Sequence, residues 1–258
     1  MENYLPGNLY TNTASFYDYD NRDIIKDDLD FYVGYINQTN GPVLELASGT
    51  GRVSLYAAGK TGRHIQCLEY SEHMLERFRH KLQTTHKHLR EQIHIQNGDM
   101  SCFDFGQKFE CVIIPWRALQ WLAEEQKTIA CLKQVYKHLS GNGILVFDIF
   151  KPRMYDKNWL GKEDISYDIT VGDKRIIRST VNHYADTVKK YIQYKNKIRI
   201  LENGTETVTE DLLTIKYYGY DDITGILQSL DFKVTEEYGY YDKRPIKDGE
   251  EMIFVCKK

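Results

Sequence analysis

The sequence lacks the features that would place a protein in a membrane or outside the cell. No stretch reaches the roughly 18 apolar residues of a transmembrane helix, and residues 1–6 lack the basic and apolar regions of a secretion signal. The five cysteines are odd in number and form no Cys-x-x-Cys pair, which argues against a disulfide framework and a zinc knuckle. We therefore expect a cytoplasmic protein with no membrane partner and no bound metal.

The sequence also has no large excess of either positive or negative charge. The 34 basic and 37 acidic residues give a net charge of −3 over 258 residues, so no global cationic field exists to hold a nucleic acid. Hydrophobic residues make up 41% of the chain and charged residues 28%, which is typical of a globular protein. Tyrosine is abundant: the 20 tyrosines concentrate before residue 40 and after residue 154.

The middle of the chain alternates short apolar runs with helical periodicity. Strands are predicted at 43–47, 64–69, 93–96, 111–115 and 143–150, and helices at 21–37, from about 53, at 71–87 and at 124–139. Strands that alternate with helices predict an α/β fold with a doubly wound parallel sheet.

After Pro152 the hydrophobic pattern changes to a period of two. Runs at 165–171, 174–184, 188–201 and 206–217 predict an antiparallel insert, and Asn203-Gly204 between the last two is a strong hairpin signal. A helix at 221–229 and strands at 232–240 and 251–257 complete the chain. We expect an N-terminal helical arm or cap at 1–40, a core at 41–152 and 217–258, and a lid at 153–216.

Acidic residues mark the ends of the first three predicted strands. Glu45 lies in the first strand, ahead of a Gly49-x-Gly51 turn that would let a ligand approach the backbone closely. Glu69 ends the second strand, where a carboxylate accepts hydrogen bonds from ribose hydroxyls. Asp99 follows the third strand and can accept from an adenine amino group. Ser54 replaces the third glycine of a dinucleotide motif, which argues against a nicotinamide enzyme.

Residues 41–150 resemble the class I S-adenosylmethionine-dependent methyltransferases. The matching segments are 45–52, 68–75, 97–100, 115–122 and 139–148. The resemblance implies a Rossmann-like seven-stranded sheet whose last strand is antiparallel, with S-adenosylmethionine as cofactor and S-adenosylhomocysteine as product. The insert after the fifth strand resembles the acceptor lid of small-molecule N- and O-methyltransferases.

The resemblance also implies a set of cofactor-binding residues: Tyr17, Glu45, Ala47, Gly49, Gly51, Arg52, Glu69, Tyr70, Met74, Asp99, Met100 and Pro115. Within this set, Arg52 is expected to pair with the cofactor carboxylate. Tyr17 belongs to an Ala-x-x-Tyr-Asp segment expected to close over the methionine end, with Phe16 or Tyr19 bordering the acceptor.

Four residues are candidates for a catalytic role. Trp116, Arg117 and Gln120 follow the fourth strand, at the edge of a parallel sheet where ligands bind. His183 in the insert is a candidate general base. A fold-stabilising salt bridge for Arg117 and a surface or packed position for His183 are the alternatives.

The sequence as a whole predicts transfer of a methyl group to a nitrogen or oxygen of a small-molecule acceptor, by a monomer or homodimer. An RNA or protein methyltransferase is an alternative, because the segment 189–199 is basic and alternating. A non-catalytic S-adenosylmethionine-binding protein and a nicotinamide oxidoreductase are further alternatives. No motif identifies the acceptor.

Overall fold

The computed structural model describes residues 10–20, 22–151 and 159–258. The strands of its core are β1 (Val43–Leu46), β2 (Ile65–Glu69), β3 (Ile93–Asn97), β4 (Phe109–Ile114), β5 (Leu139–Phe150), and, after four strands of a second sheet, β10 (Lys233–Tyr238) and β11 (Glu251–Lys257). The helices are α1 (Leu29–Ile36), α2 (Arg52–Thr61), α3 (Glu72–Gln83), α4 (Glu125–His138) and α5 (Tyr220–Ser229).

The core strands form one seven-stranded sheet in the order β10-β11-β5-β4-β1-β2-β3. Strands β1 to β5 are parallel, and β11 runs antiparallel to both β5 and β10. This arrangement confirms the predicted doubly wound α/β sheet with an antiparallel last strand. Because the chain moves outward from β1 in both directions, loops that follow β1 and β4 meet at a topological switch point.

The four strands of the second sheet are β6 (Glu163–Val171), β7 (Lys174–Asp186), β8 (Tyr191–Glu202) and β9 (Thr205–Lys216), paired in sequence order. The predicted antiparallel insert is therefore confirmed, and we call this sheet the lid. Asn203 and Gly204 both have positive φ, 50° and 76°, which fits the tight turn predicted between β8 and β9. The predicted boundary at Pro152 lies outside the described residues.

Several element boundaries differ from the sequence-based prediction. The predicted helix at 21–37 is a short 3-10 turn at Asp23–Lys26 followed by α1, and Asn21 lies outside the described residues. β8 begins at Tyr191 and not at 188, because residues 187–190 turn and Lys190 has a φ of 54°. The basic strand 189–199 is matched by acidic neighbours, with Lys195 Nζ 2.7 Å from Glu210 Oε1.

Residues 10–20, which we call the arm, join the lid to the core. The Thr13 hydroxyl donates to Asp211 Oδ2 at 2.7 Å, and the Asn196 amide of β8 donates to the Thr13 hydroxyl at 2.8 Å. At the other end of the arm, Asp18 accepts from the Thr50 hydroxyl at 2.6 Å and from Lys81 Nζ at 2.9 Å. The arm thus contacts the second sheet on one side and the loop after β1 and α3 of the core on the other. Across the described residues, no helix combines the length and the hydrophobicity needed to cross a membrane.

Asp211 is buried and accepts hydrogen bonds from the Asn12 backbone, the Asn12 amide and the Thr13 hydroxyl. We expect Asp211→Ala to lower the free energy of unfolding by about 1–3 kcal/mol, because buried donors of the arm lose their acceptor. Chymotrypsin should then cleave faster at the arm aromatics. Glu210→Gln is the matched control, since it removes only a surface ion pair worth less than about 1 kcal/mol. Equal stability and equal cleavage in the two variants would contradict this role for the arm.

Candidate functional site

The loops that follow β1, β2, β3 and β4 open into one cavity of about 1270 Å³ between the core and the lid. The arm closes a further side, since Tyr10, Tyr17 and Asp18 also line the cavity. The predicted cofactor residues that line it are Tyr17, Ala47, Gly49, Arg52, Glu69, Tyr70, Met74, Asp99, Met100 and Pro115. Ligand binding at the carboxyl ends of parallel strands is the rule for such sheets.

Glu69 at the end of β2 ties two of these loops together. Its Oε2 accepts from the Gly49 N–H at 2.8 Å, and its Oε1 accepts from the Ser71 N–H at 2.8 Å. Burial raises the pKa of Glu69, and the hydrogen bonds from Ser71 and Gly49 oppose that rise. Each carboxylate oxygen has a second lone pair, so Glu69 keeps acceptor capacity for hydroxyls of a ligand in the cavity.

The turn after β1 lets a ligand come close to the backbone, but its glycine N–H groups already donate to protein acceptors. The Gly49 N–H is used by Glu69, and the Gly51 N–H donates to the Ser48 carbonyl at 2.8 Å. Gly49 has a φ of 56°, and a Cβ added there would meet nothing within 4 Å, so the space beside it belongs to the cavity. Ala47, with a φ of 54°, lines the cavity next to it.

Asp99 and Met100 form the wall at the end of β3. Asp99 Oδ1 accepts from the Ser101 N–H at 2.7 Å, while within the described ranges no donor contacts Oδ2. Met74, Met100 and Leu68 add apolar surface to this part of the cavity. A flat aromatic ring with an exocyclic amino group therefore fits between these side chains and Asp99, with a ribose toward Glu69. The residues present fit an adenosine.

Asp148 in β5 holds the loop after β4. Its two carboxylate oxygens accept from the Trp116 N–H at 2.8 Å and the Arg117 N–H at 2.7 Å, and the Tyr32 hydroxyl donates to it as well. Trp116 and Arg117 have φ values of 59° and 61°, a left-handed conformation that needs such support. Burial raises the pKa of Asp148 to about 7.

Two arginines of the site are paired with protein carboxylates. Arg52 makes a bidentate pair with the buried Asp28, at 2.5 and 2.6 Å, and its guanidinium lies 5.0 Å from the centre of the Trp116 ring. Arg117 pairs with the buried Glu251, with Nε 3.1 Å from Oε1. For Arg117 the salt-bridge alternative therefore describes the structure. For Arg52 this pairing argues against the predicted ion pair with the cofactor carboxylate.

Of four other predicted site residues, three pack or hydrogen-bond within the protein, and the fourth lies outside the cavity. Glu45 is buried and accepts from the Ser54 hydroxyl, and burial raises its pKa to about 8. A Cβ on Gly51, whose φ is 81°, would overlap the Phe78 ring. Gln120 borders the cavity, but its amide donates to the Lys216 carbonyl and accepts from the Phe150 N–H, both at 2.9 Å. His183 is exposed at a β-bulge in β7 and does not line the cavity, contrary to the general-base prediction.

The lid side of the cavity contains an aromatic cluster that the sequence did not reveal. It consists of Tyr10, Tyr17, Trp121 and Tyr194, and all four line the cavity. Tyr10 is the centre, with ring centroids 5.4 Å from Tyr17 and 5.7 Å from Trp121, and Trp121 is 6.1 Å from Tyr194. Phe16 and Tyr19, expected at the acceptor, do not line the cavity, and Phe16 packs on the lid instead.

Comparison with known proteins agrees with this geometry. A family model described as "Methyltransferase domain" matches residues 43–143. YqeM of Bacillus subtilis, assigned as a methyltransferase, is 30% identical over 109 residues, which are 42% of each chain. The aligned region thus spans less than half of that curated relative. The family expected from the motifs is confirmed for residues 43–143.

Solved structures extend the likeness to nearly the whole chain. The CcbJ methyltransferase from Streptomyces caelestis has a TM-score of 0.83 and 19% identity, over 98% of this chain and 99% of CcbJ. The sugar N-methyltransferase KedS8 from a Streptoalloteichus species has a TM-score of 0.75 and 15% identity, over 100% of this chain and 96% of KedS8. At these identities the likeness establishes the shared fold, lid included.

The two glycines of the turn after β1 separate folding from binding. Gly49→Ala should cost only about 1–2 kcal/mol of stability for its left-handed φ, but its methyl group would enter the cavity. We expect it to weaken S-adenosylhomocysteine binding at least tenfold in calorimetry. Gly51→Ala should cost about 2–4 kcal/mol in denaturant unfolding, because its methyl group overlaps Phe78. If Gly51→Ala lost affinity with its stability unchanged, or if Gly49→Ala lost stability with its affinity unchanged, the assignment of Gly49 to binding and Gly51 to folding would be refuted.

Proposed function

We propose that this chain, whose residues 43–143 form a methyltransferase domain, transfers the methyl group of S-adenosylmethionine to an amine nitrogen of a small molecule. The observation that carries the proposal is the cavity itself. Gly49, Glu69 and Asp99 line it from the core, and the aromatic cluster lines it from the lid, the arm and the turn after β4. A cofactor wall and an acceptor wall thus share one cavity.

Each wall has a distinct task. Glu69 would accept from the ribose hydroxyls, Asp99 from the adenine amino group, and Tyr17 would border the methionine end. S-adenosylmethionine supplies a methyl group already activated on a sulfonium. The chain's own residues therefore need only bind, align the acceptor and exclude water. The aromatic cluster suits this task, since its rings give apolar surface and their faces attract nearby cationic groups.

The ionisable groups of the acceptor wall favour a nitrogen acceptor over an oxygen acceptor. A neutral amine attacks without a base, whereas an alcohol needs one to take its proton. The histidine predicted for this task, His183, is outside the cavity, and the two histidines that line it, His86 and His88, follow α3 on the core side. The carboxylates of Asp18, Asp20 and Asp164 are each paired with a lysine or arginine. KedS8, which shares the fold, is described as a sugar N-methyltransferase.

A small-molecule acceptor is favoured over RNA or protein. The basic strand that supported the RNA alternative is paired with acidic side chains, through Lys195–Glu210 and Arg199–Glu163. The cavity lies between core and lid, and the arm also lines it, so an acceptor has to fit among three parts of the chain, which suits a small molecule better than a polymer.

The cofactor assignment is tested by binding and turnover together. We expect S-adenosylhomocysteine to bind at micromolar affinity, about −8 kcal/mol, and Asp99→Ala to weaken it by about 1–3 kcal/mol, because a buried ligand donor loses its partner. Asp104→Ala is the matched control, since Asp104 pairs with Lys137 at the surface. A panel of primary amines and phenols, with S-adenosylhomocysteine release as readout, should show turnover with amines. Unchanged S-adenosylhomocysteine affinity in Asp99→Ala would refute the role of Asp99 in cofactor binding. Turnover confined to phenols would refute the amine acceptor.

Tyr17→Phe tests the role of the arm in the same assays. The Tyr17 ring packs on Tyr10 and under Arg178, and within the described residues its hydroxyl has no hydrogen-bond partner. If that hydroxyl binds a charged group of a ligand, its removal should cost about 1.5–3 kcal/mol in cofactor affinity or turnover. Tyr19→Phe, at a side chain outside the cavity, should change neither. Wild-type affinity and rate in Tyr17→Phe would assign the residue to anchoring the arm.

A further inference from the structure

We infer that Arg178 forms an anion subsite in the acceptor wall and binds a carboxylate of the acceptor. The inference rests on the proposed function and narrows it to amines that also carry a carboxylate.

Arg178 lies in β7 and lines the cavity, with 14% of its side chain exposed. Its Nε donates to Asn196 Oδ1 at 3.0 Å, and its Nη1 lies 3.4 Å from Asp20 Oδ2. No acceptor among the described residues is within hydrogen-bond distance of Nη2. The Tyr17 ring lies 5.5 Å from the guanidinium carbon. A largely buried arginine thus keeps donors for a partner from the cavity.

Arg178 shares its carboxylate partner with a second arginine. Asp20, its only carboxylate partner among the described residues, already accepts from Arg22 in a bidentate pair at 2.8 and 2.6 Å. The next carboxylate, Asp211, is linked to Arg178 only through Thr13 and Asn196. Arg52 and Arg117, which also line the cavity, differ because each has a buried carboxylate of its own.

A largely buried arginine that shares its only carboxylate partner gains from an anion of a bound ligand. Because Asp20 already supplies part of the negative charge, a monoanion is enough, and a carboxylate matches the planar guanidinium fork. This chemistry favours a carboxylate over a dianionic phosphate group.

The neighbouring tyrosines support an anion at this place. Tyr10, Tyr17 and Tyr194 surround Arg178 closely enough to interact with its charge. Burial raises the pKa of each of these hydroxyls, so all three stay protonated. The Tyr10 hydroxyl donates to Tyr194, so the hydroxyls of Tyr17 and Tyr194 are the donors that a ligand could use. Their rings provide apolar walls beside the donors, which suits an acceptor with an apolar body and one carboxylate.

Two bound molecules could present a carboxylate here, the acceptor and the methionine end of the cofactor. We assign the subsite to the acceptor because Arg178 comes from the lid, whereas Glu69 and Asp99, which fit the adenosine, belong to the core. Tyr17, proposed to border the methionine end, lies 5.5 Å from Arg178, so the two carboxylates compete for one region. The test must therefore measure cofactor affinity and anion affinity separately.

The probe is benzoate, with the neutral isostere benzamide as reference, titrated into protein saturated with S-adenosylhomocysteine. We expect benzoate to bind at least tenfold more tightly than benzamide, and Arg178→Gln to remove that preference while leaving S-adenosylhomocysteine affinity within twofold. Arg175→Gln is the matched control on the same strand, because Arg175 is 56% exposed and pairs with Asp168. It should keep the full preference for benzoate.

Several results would overturn the inference. They are equal binding of benzoate and benzamide, a preference that survives Arg178→Gln, tighter binding of phenyl phosphate than of benzoate, and a tenfold loss of S-adenosylhomocysteine affinity in Arg178→Gln. If Arg178→Gln does not fold, Arg178→Lys replaces it, with at least a threefold loss of the preference expected and no loss contradictory. Turnover is not part of the readout, so a chain that binds benzoate but methylates no amine refutes the proposed function alone.

Discussion

The hydrogen bonds to Asp148 are the interaction on which the site depends. Two successive residues, Trp116 and Arg117, adopt left-handed conformations that cost roughly 1–2 kcal/mol each. Hydrogen bonds from their N–H groups to a buried carboxylate contribute about 1.5–3 kcal/mol each and offset that cost. The result is a fixed loop after β4 in which the Trp116 ring lies 5.0 Å from the guanidinium of Arg52 and 5.6 Å from that of Arg117. This ring lines the cavity.

The sequence predicted the parts of the molecule that are determined locally. Alternating apolar runs and helical periods belong to short segments, so the order of strands and helices followed from them, and the seven-stranded sheet is confirmed. Glu69 and Asp99 were found for the same reason. Glu69 ends β2 and Asp99 lies two residues after β3, and the carboxyl ends of parallel strands lie at one edge, so both residues line the cavity.

The features of the site that the sequence did not predict depend on contacts between segments that are distant in sequence. The partners of Arg117 and Gln120, Glu251 and the Lys216 carbonyl, are far away in sequence. The sequence therefore offered a salt bridge for Arg117 only as an alternative, without its partner, and no structural role for Gln120. In the lid, a strand of period two has two faces, and a bulge of one residue exchanges them. The register shift between Asn182 and Tyr184 is such a bulge, and His183 lies within it, exposed. Arg178, on the same strand, faces the cavity, although no local pattern distinguishes it from the exposed Arg175.

The arm makes these separate features one site. It contacts the lid through Asp211 and Arg178, and the core through Thr50 and Lys81, so the acceptor wall and the cofactor wall are held by the same eleven residues, 10–20. Each of these contacts is a hydrogen bond or ion pair with a net value of about 1 kcal/mol, whereas the two sheets are held by ladders of many bonds. Displacing the arm therefore costs much less than separating the strands of either sheet. The arm, which contributes Tyr10, Tyr17 and Asp18 to the lining, is thus a part of the cavity wall that can move without unfolding either sheet.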